Sequence, residues 1–261
     1  MNKHNDRELG AERQRKILQL IRVERVVRVE DLGVELNVSS ATIRRDLVEL
    51  EGQGALRRVH GGAVAVDSRL EEPAIFDDKA SVAASEKKAI AAEAFKCIQP
   101  EDTIYVDGGT TTLELVRLIR EMQNLTVVTN SLRAAVELGG SGPRLILIGG
   151  ELRRRSQTMV GSLTRGTLNE LHVDRAFMGI MGLTISAGLT TTDPDEAYTK
   201  ELVMKQAGEV ILLVHSEKIG KISFAHSGGV DQVDHIITDC GVPEEFKKTI
   251  DEMNIQLTVV R

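Results

Sequence analysis

Residues 38–63 read VSSATIRRDLVELEGQGALRRVHGGA. Ile43, Leu47 and Leu50 stand at i, i+4 and i+7, the spacing of one buried helical stripe. Ser39 precedes them as a good N-cap, because its hydroxyl can accept an orphan backbone N–H. Gly52 and Gly54 close the helix. At 100° per residue, Ala41, Arg45 and Val48 fall nearly opposite the stripe, and Thr42 and Arg44 flank it. Leu56-Arg57-Arg58-Val59 then reads as a strand, and His60-Gly61-Gly62 turns the chain back into Ala63-Val64 as a small hairpin.

Working outward, residues 11–22 place Ile17, Leu18 and Ile21 on one helical face. Val26-Val27-Arg28-Val29 is short and β-branched, an edge strand. Asp31 can cap a short helix carrying Leu32 and Leu36, broken by Asn37-Val38-Ser39. Helix, short helix, three-residue turn, helix and basic hairpin make a winged helix-turn-helix pattern. A helix enters the major groove only if its outer face is small or polar at its start and cationic beyond. Ser40, Ala41 and Thr42 allow close approach, and Arg44 and Arg45 supply forks for phosphate or guanine. The candidate DNA contacts are Ser39, Ser40, Ala41, Thr42, Arg44, Arg45, Arg57, Arg58 and His60. A surface helix whose arginines pair with Asp46 and Glu49 would explain an isolated Arg-Arg, but not the turn, cap and basic wing together.

The run of residues 38–63 resembles the signature of DeoR-family bacterial transcription regulators: V-S, then T-I-R-R-D-L, L-E, G, R and H-G-G-A. Two positions depart from it. Gly33 stands inside the short helix where the family usually has alanine, and Arg25 stands where a turn glycine is common. Neither touches the recognition helix.

The whole chain has 261 residues, 41% of them hydrophobic and 28% charged, which is near the globular norm. No apolar run approaches a membrane span, and MNKHNDRELG has no apolar core of the kind a secretory signal carries. Cys97 and Cys240 read as reduced, buried thiols of a cytoplasmic protein. Without Trp, and with 3% aromatics, a stacking surface for single-stranded nucleic acid is disfavoured. Charge divides unevenly: net +2 over residues 1–62 and net −8 over 63–261, so a polyanion should meet the head. We expect a winged helix-turn-helix domain over 1–64, a linker over 65–84 and an α/β domain over 85–261. The polar stretch DSRLEEPAIFDDK (67–79) reads as the connector, with Ile75-Phe76 able to dock on either domain, or else it merely ends the wing.

In the body, short β-branched runs alternate with helical stretches. The expected strands are Thr103–Asp107, Leu125–Thr129, Arg144–Ile148, Arg175–Ile180, Glu209–His215, His235–Asp239 and Gln256–Val260. The expected helices are Ser85–Ile98, Thr111–Gln123, Leu132–Leu138, Ser162–Leu171, Asp195–Gln206 and Glu244–Met253. Continuous apolar cores such as VILLV and LILI suit parallel strands buried on both faces. The fold class is therefore α/β, a doubly wound, mostly parallel sheet, with ligands expected where strands end and helices begin.

Those junctions carry polar clusters. Asp107-Gly108-Gly109 followed by Thr110, Thr111 and Thr112 offers backbone N–H groups and hydroxyls at a helix start, a cradle for phosphate or a plain turn. It is neither a Walker A loop nor G-x-G-x-x-G. Thr129-Asn130-Ser131 is a second such start. Gly149-Gly150 with Arg153-Arg154-Arg155 offers cations, or a solvated face. Lys218 follows a buried strand, and Thr190-Thr191-Thr192 with Asp193 to Lys200 forms a fifth cluster. This half also resembles the DeoR effector domain, through DGGTTT, VVTNS, LIGGELRRR, DRAFMGIMGL, GLTT, EAYTK and EKIGK. The resemblance implies a fold similar to ribose-5-phosphate isomerase and a sensor of phosphorylated sugars or related metabolites. In it, Gly109 to Thr112, Thr129 to Ser131 and Lys218 stand nearest phosphate and sugar. The candidate effector residues are Asp107, Gly108, Gly109, Thr110, Thr111, Thr112, Thr129, Asn130, Ser131, Gly150, Arg153, Gly179, Lys200, His215 and Lys218. His215 replaces an aspartate common in the family, which alters charge and hydrogen-bonding capacity there, or it simply ends a strand.

The expected function is a DNA-binding transcriptional regulator, a repressor of carbohydrate genes controlled by a phosphorylated sugar. Its partners are double-stranded DNA and that effector, with no membrane, no cofactor and no metal. A homodimer or homotetramer is expected, because one winged helix has too small an interface for tight specific binding. The rival is a sugar-phosphate isomerase-like enzyme with a DNA-binding head, drawing acid–base groups from Asp107, Asp174, Glu196 and Lys200. No nucleophilic triad or metal-ligand pattern accompanies it. An RNA-binding module is a weaker third reading, disfavoured by the winged helix.

Overall fold

The structure, a computed structural model, describes residues 13–14, 16–18, 20–21, 26–36, 38–52, 55–59, 61–65, 76, 82–140 and 142–261. His60 and most of the expected linker lie outside the described residues. The chain separates into two compact units, Met1–Pro73 and Ala74–Arg261.

The first unit contains β1 (Val26–Arg28), α1 (Val29–Glu35), α2 (Ser40–Gly52), β2 (Leu56–Val59) and β3 (Gly62–Ala65), preceded by helical residues that include Ile17 and Ile21. The three strands form one antiparallel sheet in the order β1-β3-β2. Ile17, Ile21, Leu32, Ile43, Leu47, Leu50 and Leu56 close a single core, so the stripe read from sequence is the buried one. One cap differs from expectation. The short helix starts at Val29 with Arg28 as N-cap, and Asp31 lies inside its first turn without capping it. The reason is that the Val29 N–H donates to the Gly61 carbonyl of the wing, which fixes the entry to the helix two residues early. Gly61 takes φ +81, and a Cβ on Gly62 would stand 2.1 Å from the Val27 carbonyl oxygen. Glycine is therefore what lets the wing pair with β1. At Gly33 a Cβ would stand 3.2 Å from the Val38 carbonyl oxygen, an approach that a small shift relieves.

In the second unit, seven strands form one parallel sheet: β4 (Thr103–Val106), β5 (Thr126–Thr129), β6 (Arg144–Leu147), β9 (Val173–Met178), β12 (Ala207–Leu213), β14 (His235–Asp239) and β15 (Gln256–Val260). Their order is β15-β14-β12-β9-β4-β5-β6. Successive residues go to opposite faces, as pleating requires. Ile104, Val127, Phe177, Ile211 and Ile237 pack with α3 (Ala84–Phe95), α4 (Thr110–Ile119) and α5 (Leu132–Leu138). Tyr105, Val128, Ala176, Leu212 and Ile236 pack with α6 (Ser162–Asn169), α7 (Pro194–Gln206) and α8 (Glu244–Glu252). The chain winds outward from β4 in one direction and from β9 in the other, so the topological switch falls between these two neighbours. In such sheets, ligands bind at that point, beyond the carboxyl ends of the strands.

Two elements escaped the sequence reading. The hairpin β7 (Glu151–Arg153) with β8 (Thr158–Val160), and the antiparallel sheet β10 (Gly182–Thr184), β11 (Gly188–Thr191) and β13 (Ala225–Gly228), are built of three- and four-residue strands. Runs that short carry too few residues for an alternation to show. The cysteine reading also needs correcting: Cys97 is half-buried and Cys240 exposed, because Cys97 stands in the turn after α3 and Cys240 in the turn after β14. No helix among the described residues is long and apolar enough to cross a membrane.

Candidate functional site

The sheet's switch point opens into a cavity. It is lined by Gly108 to Thr112 after β4, Gly179 to Met181 after β9, Leu213 at the end of β12, Arg153, Arg155 and Ser156 of the β7–β8 hairpin, Thr192, Glu196 and Lys200 of the β11–α7 segment, Lys218, and Phe76. A Cβ on Gly108 would lie 2.0 Å from Thr158 Cγ2. A glycine is what lets the hairpin close over the β4–α4 turn. Thr112 donates to the carbonyls of Asp107 (2.7 Å) and Gly109 (3.0 Å), which clamps that turn. The Thr110 and Thr111 hydroxyls make no hydrogen bond to any described residue, although Thr111 is buried. With the first backbone N–H groups of α4, which have no carbonyl one turn back to bond, they make a cluster of donors of the kind that suits an anion.

Beneath this cradle is a buried charge cluster. Lys200 and Asp107 are each 3% exposed. Lys200 Nζ is ion-paired with Asp107 Oδ2, donates to the Gly179 carbonyl at 2.9 Å, and stands 3.7 Å from Glu196 Oε1. Burial presses the Lys200 pKa down, but Asp107 and Glu196 outweigh it and hold the ammonium above its ordinary value. Asp107 Oδ2 also accepts from the Gly179 N–H at 3.0 Å, tying β4 to β9 across the switch point. Arg153 bridges Asp193 (3.2 Å) and Glu196 (3.3 Å) and donates to Thr192 and Ser156. Asp193 caps α7 through the Asp195 and Glu196 N–H groups. Lys218 donates to the Ile180 carbonyl at 2.6 Å.

Not every candidate enters the cavity. Thr129, Asn130 and Ser131 do not line it. Most of their polar groups serve the fold: Thr129 donates to the Val106 carbonyl, the Asn130 amide NH2 to the Met159 carbonyl, and Ser131 accepts from the Ala134 N–H as the N-cap of α5, while the buried Asn130 Oδ1 has no hydrogen-bond partner among the described residues. Gly150 is absent from the lining because it packs on Val160 and Thr164. Asp107 stands behind the wall, engaged with Lys200. Of the four acid–base candidates, Asp174 lies at the opposite end of the sheet, accepting from the Thr103 N–H at 2.7 Å. His215 is also outside the lining. It is buried, its Nδ1 has no hydrogen-bond partner, and burial, with Lys218 and Lys87 nearby, lowers its pKa. Phe76, Arg155, Ser156, Ile180, Met181 and Leu213 are lining residues the sequence did not offer as a group.

Both His215 and the buried His235, whose pKa burial also lowers, stay neutral in the folded state at pH values where the unfolded chain protonates them. Their contribution is complete above about pH 6.5, the ordinary histidine value, and erodes as pH falls below it. The urea midpoint should drop between pH 7.5 and 5.5, and the drop should shrink in a His215→Asn, His235→Asn variant. An unchanged slope in that variant would refute the assignment.

In the head, Ser39 Oγ accepts from the Thr42 N–H at 3.2 Å, as an N-cap should. Ala41, Arg44 and Arg45 are exposed on α2. Asp46 does not pair with the helix's own arginines. Arg13 grips it bidentately at 2.5 and 3.0 Å, locking the first helical segment to α2. Arg45 stands 3.7 Å from Glu49, and Arg58 of the wing 3.7 Å from Glu51. Arg44 has no ion pair among the described residues. Arg57 lies on β2, beside Arg58.

Residues 13–69 match the DeoR-like helix-turn-helix domain, and residues 82–240 match the DeoR C terminal sensor domain. The chain belongs to the DeoR family of transcriptional regulators. Among relatives of this regulator, the HTH-type transcriptional regulator GlpR of Haloferax volcanii is 36% identical over 95% of this chain and 96% of its own length. The Glycerol-3-phosphate regulon repressor of Escherichia coli K12 is 31% identical over 94% and 97%. Among solved structures, ribose 5-phosphate isomerase A of Methanocaldococcus jannaschii is 21% identical over 52% of this chain and 55% of that one, with a TM-score of 0.39. That likeness is too slight to bear on activity. The DeoR-family regulator thus joins a DNA-binding head to a sensor of a small molecule.

Proposed function

We propose that this regulator is a repressor of carbohydrate-metabolism genes, acting in the cytoplasm as a homodimer or homotetramer and governed by a phosphorylated sugar or related phosphate ester. The phosphate sits at the start of α4, on the Thr110 and Thr111 hydroxyls and the backbone N–H groups, with Lys218 and Arg155 supplying positive charge. Arg153, Glu196 and Lys200 border the sugar. The single observation that carries the reading is the pair of threonine hydroxyls left unbonded at a helix N-terminus in the cavity at the switch point. A relative named for a glycerol-3-phosphate regulon supports the chemical class. An effector that binds the DNA-competent and DNA-incompetent arrangements unequally shifts occupancy of the duplex.

The isomerase reading is weaker because the three acid–base candidates near the cavity neutralise one another, Lys200 being held charged by Asp107 and Glu196, and the fourth, Asp174, lies at the far end of the sheet. None of them is left as an uncommitted base. Purified protein should therefore leave ribose 5-phosphate unconverted.

The test is a thermal-shift screen with inorganic phosphate, glycerol 3-phosphate, fructose 1-phosphate and ribose 5-phosphate. A binder at one hundred times its Kd stabilises the folded state by about 2.7 kcal/mol. The shift should vanish in a Thr111→Val, Lys218→Met variant. A variant that responds as the wild type does would place the effector elsewhere.

A further inference from the structure

One lining residue of the cavity comes from far upstream in the chain. Phe76 is the third residue of the second unit, which begins at Ala74, and its ring is 5% exposed. The Arg133 guanidinium lies over it, 5.6 Å from the ring centroid. Arg133 in turn donates to Gln157 Oε1 at 2.6 Å. Gln157 belongs to the β7–β8 turn, the same turn that brings Arg155 and Ser156 to the cavity. An aromatic ring is thus buried beside a cation that holds one wall of the pocket, and it is covalently joined to the connector.

We propose that Phe76 is an effector-contact residue supplied by the connector, so that filling the pocket is felt in the chain leading to the DNA-binding head. The proposal rests on the effector reading given above. The ring packs in the cavity that the effector enters, and Arg133, which faces the ring, supports the hairpin whose Arg155 lines the same space. An anion drawn to that wall changes what the ring packs against, so the ring's burial differs between empty and filled pockets. A group whose surroundings differ between two states couples them, and the coupling is reciprocal.

The chain contains no tryptophan, so Phe76→Trp creates a single fluorescent reporter. Its emission should be blue-shifted relative to free tryptophan in the unliganded protein. It should change in wavelength or in acrylamide quenching when a phosphate ester that shifts the wild-type melting temperature is added. The coupling is read with a duplex that the wild type selects from a random pool. Saturating ester should change wild-type affinity for it by at least about fivefold, the lower end of ordinary allosteric coupling. In Phe76→Ala, at ester concentrations that saturate that variant by thermal shift, the ratio should approach one, and Phe76→Leu should recover part of it. If the tryptophan emission ignores a saturating ester, or if Phe76→Ala keeps the wild-type ratio, the proposal is overturned while the pocket stands. If no ester shifts the wild-type melting temperature, the pocket reading and this proposal fall together.

Discussion

Replacing Lys200 by methionine should destabilise the sensor domain by about 3–5 kcal/mol, the usual cost of deleting one partner from a buried ion pair. Lys200 and Asp107 are each 3% exposed, and Glu196 8%. Removing the ammonium leaves two buried carboxylates that, among the described residues, keep the Arg153 ion pair to Glu196 and the Gly179 N–H to Asp107. The Asp107 carboxylate also accepts from the Gly179 N–H just beyond the paired ends of β4 and β9, so its misplacement would disturb both turns that line the cavity. The measurement is urea denaturation at pH 7, followed by a probe of the second unit. The pair replaced together, Asp107→Leu with Lys200→Met, should recover most of the deficit, because exchanging a buried pair for apolar groups is often close to neutral. A destabilisation under about 1 kcal/mol for the single variant would show that water reaches the cluster, which would remove the argument against acid–base work at this site.

The arrangement around Lys200 also shows which parts of the site could be read from sequence. Strands such as Val210 to Val214 advertise themselves, because burial on both faces demands an unbroken apolar run. The same apolar density betrays the inner strands, whereas the edge strands β6 and β15, which are not buried on both faces, were legible only from their short β-branched and aliphatic runs. Gly108, Gly109 and the threonines after them were legible because a strand-to-helix turn with hydroxyls is a local pattern. What local pattern does not reveal is where a polar group spends its hydrogen bonds. Thr129 and Ser131 look like Thr111, yet they are consumed by the Val106 carbonyl and the start of α5. Nor does sequence spacing bring Phe76 to Arg133, or Ser156 to the β4–α4 turn. Those approaches are set by the β7–β8 hairpin, whose three-residue strands leave no periodic trace. His215 shows the opposite limit: its place at the end of a buried strand was evident, but its absence from the cavity lining was not.

The second large effect is expected in the head. Arg44→Ala and Arg45→Ala should each weaken binding to a selected duplex by about 1–3 kcal/mol, as removal of one base-reading or phosphate-binding arginine does, but with different signatures. Arg44 has no ion pair among the described residues and is available to the groove as it stands. Arg45 lies 3.7 Å from Glu49, both largely exposed. Separating that pair costs only about 0.3–0.5 kcal/mol, so Arg45 can leave Glu49 for DNA at small expense. Glu49→Gln should therefore tighten binding modestly in the wild type and have no such effect once Arg45 is replaced. Salt dependence separates an arginine on phosphate from one on a base edge. An arginine that neutralises a phosphate contributes about one to the slope of log affinity against log salt, so its removal flattens that slope and weakens all sequences alike. Removing an arginine that reads guanine leaves the slope and relaxes preference at one position. Arg13 sets the background for both, since its bidentate grip on Asp46 fixes α2 against the preceding helical residues. If neither arginine variant changes affinity or salt dependence, the exposed face of α2 is not what the duplex meets.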